Sequence, residues 1–172
     1  MVHTICTYGD SSLRGGTEPI TEFNDELRAM VDSMLETMYE EMNGVGLAAP
    51  QVGIAKKIVV FDLSMGEDED SVYVLINPEI VEKEGECVLE EGCLSVPGIF
   101  EEVKRAYRVV VRYQDVEGNE HELEAEDFLA RVIQHEVDHL EGVLFVDRLG
   151  TVKRTLLSKT LRSLAQEGST GT

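Results

Sequence analysis

The order of elements along the chain predicts an α+β fold. Mixed or antiparallel β-sheets should pack around a central helix, with one helix before the strands and one at the C-terminal end. Three observations lead there. A long helical periodicity comes first, several β-rich runs follow, and two further helical patterns close the chain without regular alternation. With 172 residues, 42 % of them hydrophobic, the chain has material for one core, and residues 1–166 are expected to form one domain.

The first helix is expected over Asn24–Met42. Leu27, Val31, Met34, Leu35, Met38 and Met42 recur at three- and four-residue steps, Asn24 can cap the start, and Asn43-Gly44 supplies a stop. Ile58–Leu63 and Tyr73–Asn77 read as strands on either side of an exposed acidic tip, Glu67–Asp70. Val103–Gln114 and His121–Ala125 flank Glu117-Gly118-Asn119, which has hairpin-turn composition. Phe128–Leu140 is helical by the spacing of Phe128, Leu129, Val132, Ile133, Val137 and Leu140, and Gly142 ends it. A last helix is expected over Thr151–Leu164, with residues 167–172 as a frayed tail.

Fifteen Lys and Arg against 34 Asp and Glu give a net charge of −19. Such a surface repels phosphate backbones, so free nucleic acid is not an expected partner. No apolar run reaches the roughly 18–20 residues that span a bilayer, and Met1–Gly9 lacks the pattern of a secretory signal. A cytoplasmic protein with no membrane partner is expected. Cys6, Cys87 and Cys93 have no framework spacing, so each thiol is read as packing, ligand or nucleophile rather than as half of a disulfide.

The densest chemical signal is His135-Glu136-Val137-Asp138-His139. Residues four apart on a helix lie about 40° off one face, so two imidazoles can meet one metal ion with Glu136 beside it to handle a water proton. The bland alternative is a helix whose histidines are solvated or hydrogen bonded. No histidine follows His139, Glu141 lies about 200° round the helix from it, and Glu167 falls in the expected tail. A third ligand should therefore come from upstream. Cys93, in Glu91-Gly92-Cys93-Leu94-Ser95-Val96-Pro97, is the best candidate, because Gly92 admits close backbone approach and Pro97 keeps the segment out of a central strand. Cys6 and Cys87 read as packing residues, and His3 and His121 as surface or hydrogen-bonded histidines. A third segment, Gly44-Val45-Gly46-Leu47-Ala48-Ala49-Pro50-Gln51, combines small residues with an uncharged amide donor, or else is a helix stop leading tightly into a strand.

Together, Gly44–Gln51, Glu91–Pro97 and Gln134–Gly142 resemble the three signature motifs of peptide deformylases, in order, and the likeness runs from Asp10-Ser11-Ser12-Leu13-Arg14 to about Leu149. The resemblance implies an α+β fold around a metal-binding helix and removal of formyl from N-terminal formylmethionine on new proteins, with formate released. It implies that Cys93, His135 and His139 hold one divalent ion per chain, ferrous iron as the native one, with zinc, nickel or cobalt as substitutes. By motif, Glu136 is the acid/base, Gln51 and the Leu94 N–H face the developing oxyanion, and Gly46 makes a backbone contact to the formyl-peptide. Val45, Leu89, Phe128 and Val132 are the expected lining of an apolar slot for the methionine side chain. Two departures stand out: Tyr8-Gly9 before Asp10, where proline is frequent, and Phe100, where some members carry an arginine near the bound peptide.

Two readings compete with this one. A metallopeptidase could use the same helix, but thermolysin-like sites take Glu as third ligand, and a structural zinc site would be closed by four ligands. Asp138, off the ligand face, is expected to pair with Arg105 if it is buried. Arg148, Lys153, Arg154, Lys159 and Arg162 form a basic stretch without acids. They read as a solvated helix face or, functionally, as a weak ribosome contact through the C-terminal helix.

Overall fold

A computed structural model of the protein describes residues 1–41 and 44–170, with side chains to Glu167. Met42 and Asn43, expected at the first helix's end and stop, and residues 171–172 of the expected tail lie outside the described residues. The order is α1 (Asp25–Glu40), β1 (Gly46–Ala48), β2 (Ile58–Asp62), β3 (Val72–Glu84), β4 (Cys87–Cys93), β5 (Val96–Arg105), β6 (Arg108–Gln114), β7 (Glu120–Glu126), α2 (Asp127–Leu140) and α3 (Thr151–Thr170), with one short 3-10 turn before α1 and three between later elements. Five strands form an antiparallel sheet in the order β1-β2-β3-β6-β7, and β4 with β5 make a separate antiparallel ribbon. The α+β architecture is thus as expected.

Two helices cover the two faces of the sheet. Asn24 caps α1 by accepting from the Leu27 N–H, and Leu27, Val31, Met34 and Met38 pack on Leu47, Ile58, Val60 and Ile76. On the opposite face, Ala130, Val132, Ile133 and Leu140 of α2 pack on Val59, Phe61, Leu75, Val109 and Val111. All five residues of β2 are therefore buried, its side chains alternating between the two helices. The ribbon has its own core, in which Val96, Ile99 and Val103 meet Leu144, Phe145, Val146 and Leu149, with Leu157, Leu161 and Leu164 of α3 against them.

The structure corrects two strand expectations and adds a strand, β4, that the sequence analysis did not expect. Val103–Gln114 is not one strand: it breaks after Arg105, and its halves belong to different sheets. Gln134 of α2 is the reason, since its amide accepts from the Ala106 N–H (3.1 Å) and donates to the Ala106 carbonyl (2.9 Å), removing the groups a ladder would use. The strand expected over Tyr73–Asn77 continues to Glu84, past an irregularity between Ile76 and Glu79. Asn77 sits there at φ 53°, its side chain tied to both backbone groups of Ile20 and to Gln114, and Pro78 occupies the bulge, where a missing N–H costs no ladder bond. β4 carries no strand signal in the sequence, because its glutamates have low β-propensity. The last helix extends beyond Leu164 to Thr170, into the expected tail.

Phe61 is fully buried and stacks on Tyr73 with ring centroids 4.9 Å apart. Phe61→Ala should cost about 3–5 kcal/mol of stability, read as a lower denaturant midpoint with an unchanged slope.

Candidate metal centre

Three segments converge beside α2. His135 and His139, one turn apart on α2, face the β4–β5 ribbon, which brings Cys93 from the end of β4. The ligand atoms of Cys93, His135 and His139 all lie within 4.8 Å of one another, and Cys93 Sγ is 3.4 Å from His139 Nε2. Bonds of about 2.3 Å to sulfur and about 2.0 Å to nitrogen at a tetrahedral centre put such atoms about 3.5 Å apart. The donor set fits a divalent ion, with one thiolate and two imidazoles leaving a coordination position for water or substrate. His139 is 1 % exposed, and its Nδ1 has no hydrogen-bond partner among the described residues. Burial drives its pKa well below the usual imidazole value, which favours the neutral form a ligand requires.

His135 is oriented by a residue whose role the sequence pattern does not reveal. Its Nδ1 lies 2.9 Å from Glu91 Oε1, which turns Nε2 toward the centre. Burial works against the Glu91 carboxylate, but hydrogen bonds from His135 and Arg105 outweigh it and hold the pKa at about 2. Glu91 is therefore ionised and Nδ1 carries the proton. A ligating histidine commonly has this kind of carboxylate acceptor behind it. The one available signal is Glu91's place two residues before Cys93, on the same face of a strand. The expected Arg105–Asp138 pair is present at 2.8 Å, and Arg148 also binds Asp138, at 2.7 Å.

Glu136 and Gln51 stand beside the cluster. Glu136 is 4 % exposed, and burial pushes its pKa up to about 7, where one carboxyl group can both take and return a proton near neutrality. Its Oε2 has no hydrogen-bond partner among the described residues, and its Oε1 lies 3.8 Å from His135 Nε2. The backbone of Gly46 runs directly against it: a Cβ at Gly46 would stand 3.1 Å from Glu136 Oε1. Gln51 sits in the 3-10 turn Ala49–Val52 with its amide orientation fixed. Oε1 accepts from the Ala48 N–H (2.9 Å), while Nε2 donates to Ser95 Oγ (3.1 Å) and lies 3.6 Å from Cys93 Sγ. The N–H₂ end thus faces the thiol side of the centre. Leu94 follows Cys93 in the turn between β4 and β5, half-buried against the α1 core.

Of the residues expected to line the methionine slot, Val45 and Val132 join the cluster between α2 and the sheet. Leu89 and Phe128 stay exposed, at 38 % and 47 %. His3 bonds Ser33 and His121 bonds Asp115, so neither approaches the centre. Cys93→Ala should abolish stoichiometric metal retention while the fold persists, checked by elemental analysis and circular dichroism of the same sample.

Residues 2–155 match the family described as polypeptide deformylase. A peptide deformylase of Acidobacterium capsulatum is 50 % identical over 98 % of both chains, and one of Thermodesulfovibrio yellowstonii is 48 % identical over 91 % of this chain and 94 % of its own. Among solved structures, the peptide deformylase of Thermus thermophilus aligns with a TM-score of 0.88 at 43 % identity over 99 % of both chains, and that of Legionella pneumophila with a TM-score of 0.88 at 38 % over 98 % of both. Matches of this extent leave one assignment: the chain belongs to the polypeptide deformylase family.

Proposed function

We propose that Glu136, Gln51 and Leu94 carry out deformylation here, on an ion held by Cys93, His135 and His139. The protein is a hydrolase that removes the formyl group from N-terminal formylmethionine. The observation that carries the residue roles is the buried Glu136 carboxyl, near pKa 7, beside the ligand cluster and opposite a fixed amide donor. The ion supplies Lewis acidity that lowers the pKa of water toward neutrality. Glu136 accepts the water proton as its oxygen attacks the formyl carbon. Gln51 Nε2 and the Leu94 N–H donate to the formyl oxygen as it becomes negative, and donors of this kind each contribute roughly 3–4 kcal/mol. Glu136 then delivers its proton to the leaving nitrogen, the C–N bond breaks, and formate and a free N-terminus result. A neutral glutamine suits its place, since a carboxylate there would repel the oxyanion.

Val45, Leu89, Phe128 and Val132 are taken as the methionine slot, with the Gly46 backbone fixing the formyl-peptide. Ferrous iron is taken as the resident ion, and zinc, nickel and cobalt suit the same thiolate-imidazole donors. Among the described residues the cluster has three ligands rather than the four of a closed structural zinc site, and its thiolate separates it from Glu-ligated peptidases. Glu136→Gln should retain the metal and lose about 10²- to 10⁴-fold in turnover, measured as formate release from a formylmethionyl peptide. Near-normal turnover in the metal-replete variant would remove Glu136 from the acid/base role, and cleavage of an unformylated peptide by wild type would favour a peptidase.

No helix among the described residues is long and apolar enough to cross a membrane. With formylated nascent chains as substrate, the cytoplasm is the proposed site of action. Of the basic stretch, Arg148 is engaged by Asp138 and Lys153 by Glu101, while Arg154, Lys159 and Arg162 are exposed. Weak, salt-dependent ribosome contact is assigned to these three. Co-sedimentation with ribosomes at low salt should fall in an Arg154/Lys159/Arg162→Ala variant that keeps free-peptide turnover, and equal co-sedimentation would refute the contact.

A further inference from the structure

The imidazole ligands and the thiolate ligand stand on different pieces of the fold. His135 and His139 belong to α2, which packs on the five-stranded sheet, whereas Cys93 ends one strand of the separate β4–β5 ribbon. Coordination therefore requires something to fix the ribbon against the helix to within a fraction of an ångström. Apolar contacts resist separation but do little to oppose sliding, whereas a buried forked hydrogen-bond donor opposes both.

Arg131 is such a donor. It lies on α2 one turn before His135 and is 3 % exposed. One terminal nitrogen binds Glu91 Oε2 and the Val103 carbonyl of β5 (2.9 Å), and the other binds the Cys87 carbonyl of β4 (2.7 Å). One guanidinium thus grips both strands of the ribbon. It also takes one oxygen of the carboxylate whose other oxygen receives His135 Nδ1. Arg105 supplies the remaining two donors to Glu91, Nε to Oε2 at 2.6 Å and a terminal nitrogen to Oε1 at 2.9 Å. A carboxylate offers about four lone-pair sites, and here four donors meet them. Arg105 is itself a ribbon residue, so it holds Glu91 within the ribbon, while Arg131 and His135 hold it to the helix.

We propose that Arg131 is a positioning residue for the metal centre: its planar fork sets the ribbon, and with it Cys93, in register with His135 and His139, and it holds Glu91 where it orients His135. The role rests on the metal-ligand assignment above. Lysine would keep the charge but not the two fixed nitrogens, and would therefore restore the register only in part.

The test loads wild type, Arg131→Met, Arg131→Lys and the control Arg108→Met with Co²⁺. Ion affinity by chelator competition and the Co²⁺ absorption spectrum are recorded, alongside kcat and KM for a formylated peptide. Arg108 forms exposed pairs with Glu82, Glu84 and Glu124, so its variant removes the same charge away from the centre. Arg131→Met should bind the ion about 10- to 100-fold more weakly, with an altered ligand-field spectrum and kcat reduced more than KM is changed. Arg131→Lys should fall between, and Arg108→Met should match wild type. Wild-type affinity and spectrum in folded Arg131→Met overturn the proposal, and if that variant does not fold, the same result in Arg131→Lys does so. A wild-type spectrum without thiolate-to-cobalt absorption would instead fail the ligand assignment, and this proposal with it.

Discussion

The buried carboxylate of Glu91 is the joint on which this structure turns. It stands between Arg105, Arg131 and His135 in a region where an unpaired charge would be expensive. Removing one member of such a cluster typically costs about 3–5 kcal/mol, because the other charges stay buried without compensation. The cluster continues through Arg105 to Asp138 and on to Arg148, so a polar chain leads from the interior to the start of the C-terminal segment. Hydrophobic burial gives the sheet and its two helices their stability, but it does not select the angle at which the ribbon meets them. Directional bonds around one anion do.

The large elements are legible because their periodicities survive in the sequence. Leu27, Val31, Met34 and Met38 trace one face of α1, and the metal helix shows the same spacing. The ligand candidates are legible by another route: no histidine follows His139, so the third ligand is sought upstream, where Cys93 is the best candidate. What stays hidden depends on contacts between distant segments. Nothing local in Val103–Gln114 announces a corner, because the corner is made by Gln134, 28 residues from Ala106. Glu91 and Arg131 look in the sequence like an ordinary strand carboxylate and an ordinary helix cation. A clue does exist in the second case: Arg131 lies between Ala130 and Val132, one turn from a ligand, and a buried arginine is rarely unpaired. Arg148 reads as one of a basic group, yet its partner is the same Asp138 that is paired by expectation with Arg105.

The two carboxyl groups nearest the histidines show how environment divides one chemistry into two roles. Glu91 and Glu136 are both almost fully buried, but the first is surrounded by donors and stays ionised, whereas the second faces the centre with an oxygen that has no partner among the described residues. The first is placed to orient His135, and the second is the one to which proton transfer is assigned in the proposed function. Gly46 leaves room for the Glu136 carboxyl, so the first motif shapes the surroundings of that group as well as any substrate contact.

The separation of ribbon from sheet bears on how the molecule comes apart. Proteins open locally in cooperative units, each with its own free energy. A small ribbon with a core of its own is a natural unit of that kind, distinct from a sheet whose strand β2 is buried on both faces. An ion bound by the thiolate of one unit and the imidazoles of the other is a ligand for their docked state alone. By linkage, it stabilises docking by as much as docking strengthens its binding. With an ion so held, its loss and the opening of the ribbon would be two views of a single equilibrium, and the ion would act as a clasp between the halves of the fold.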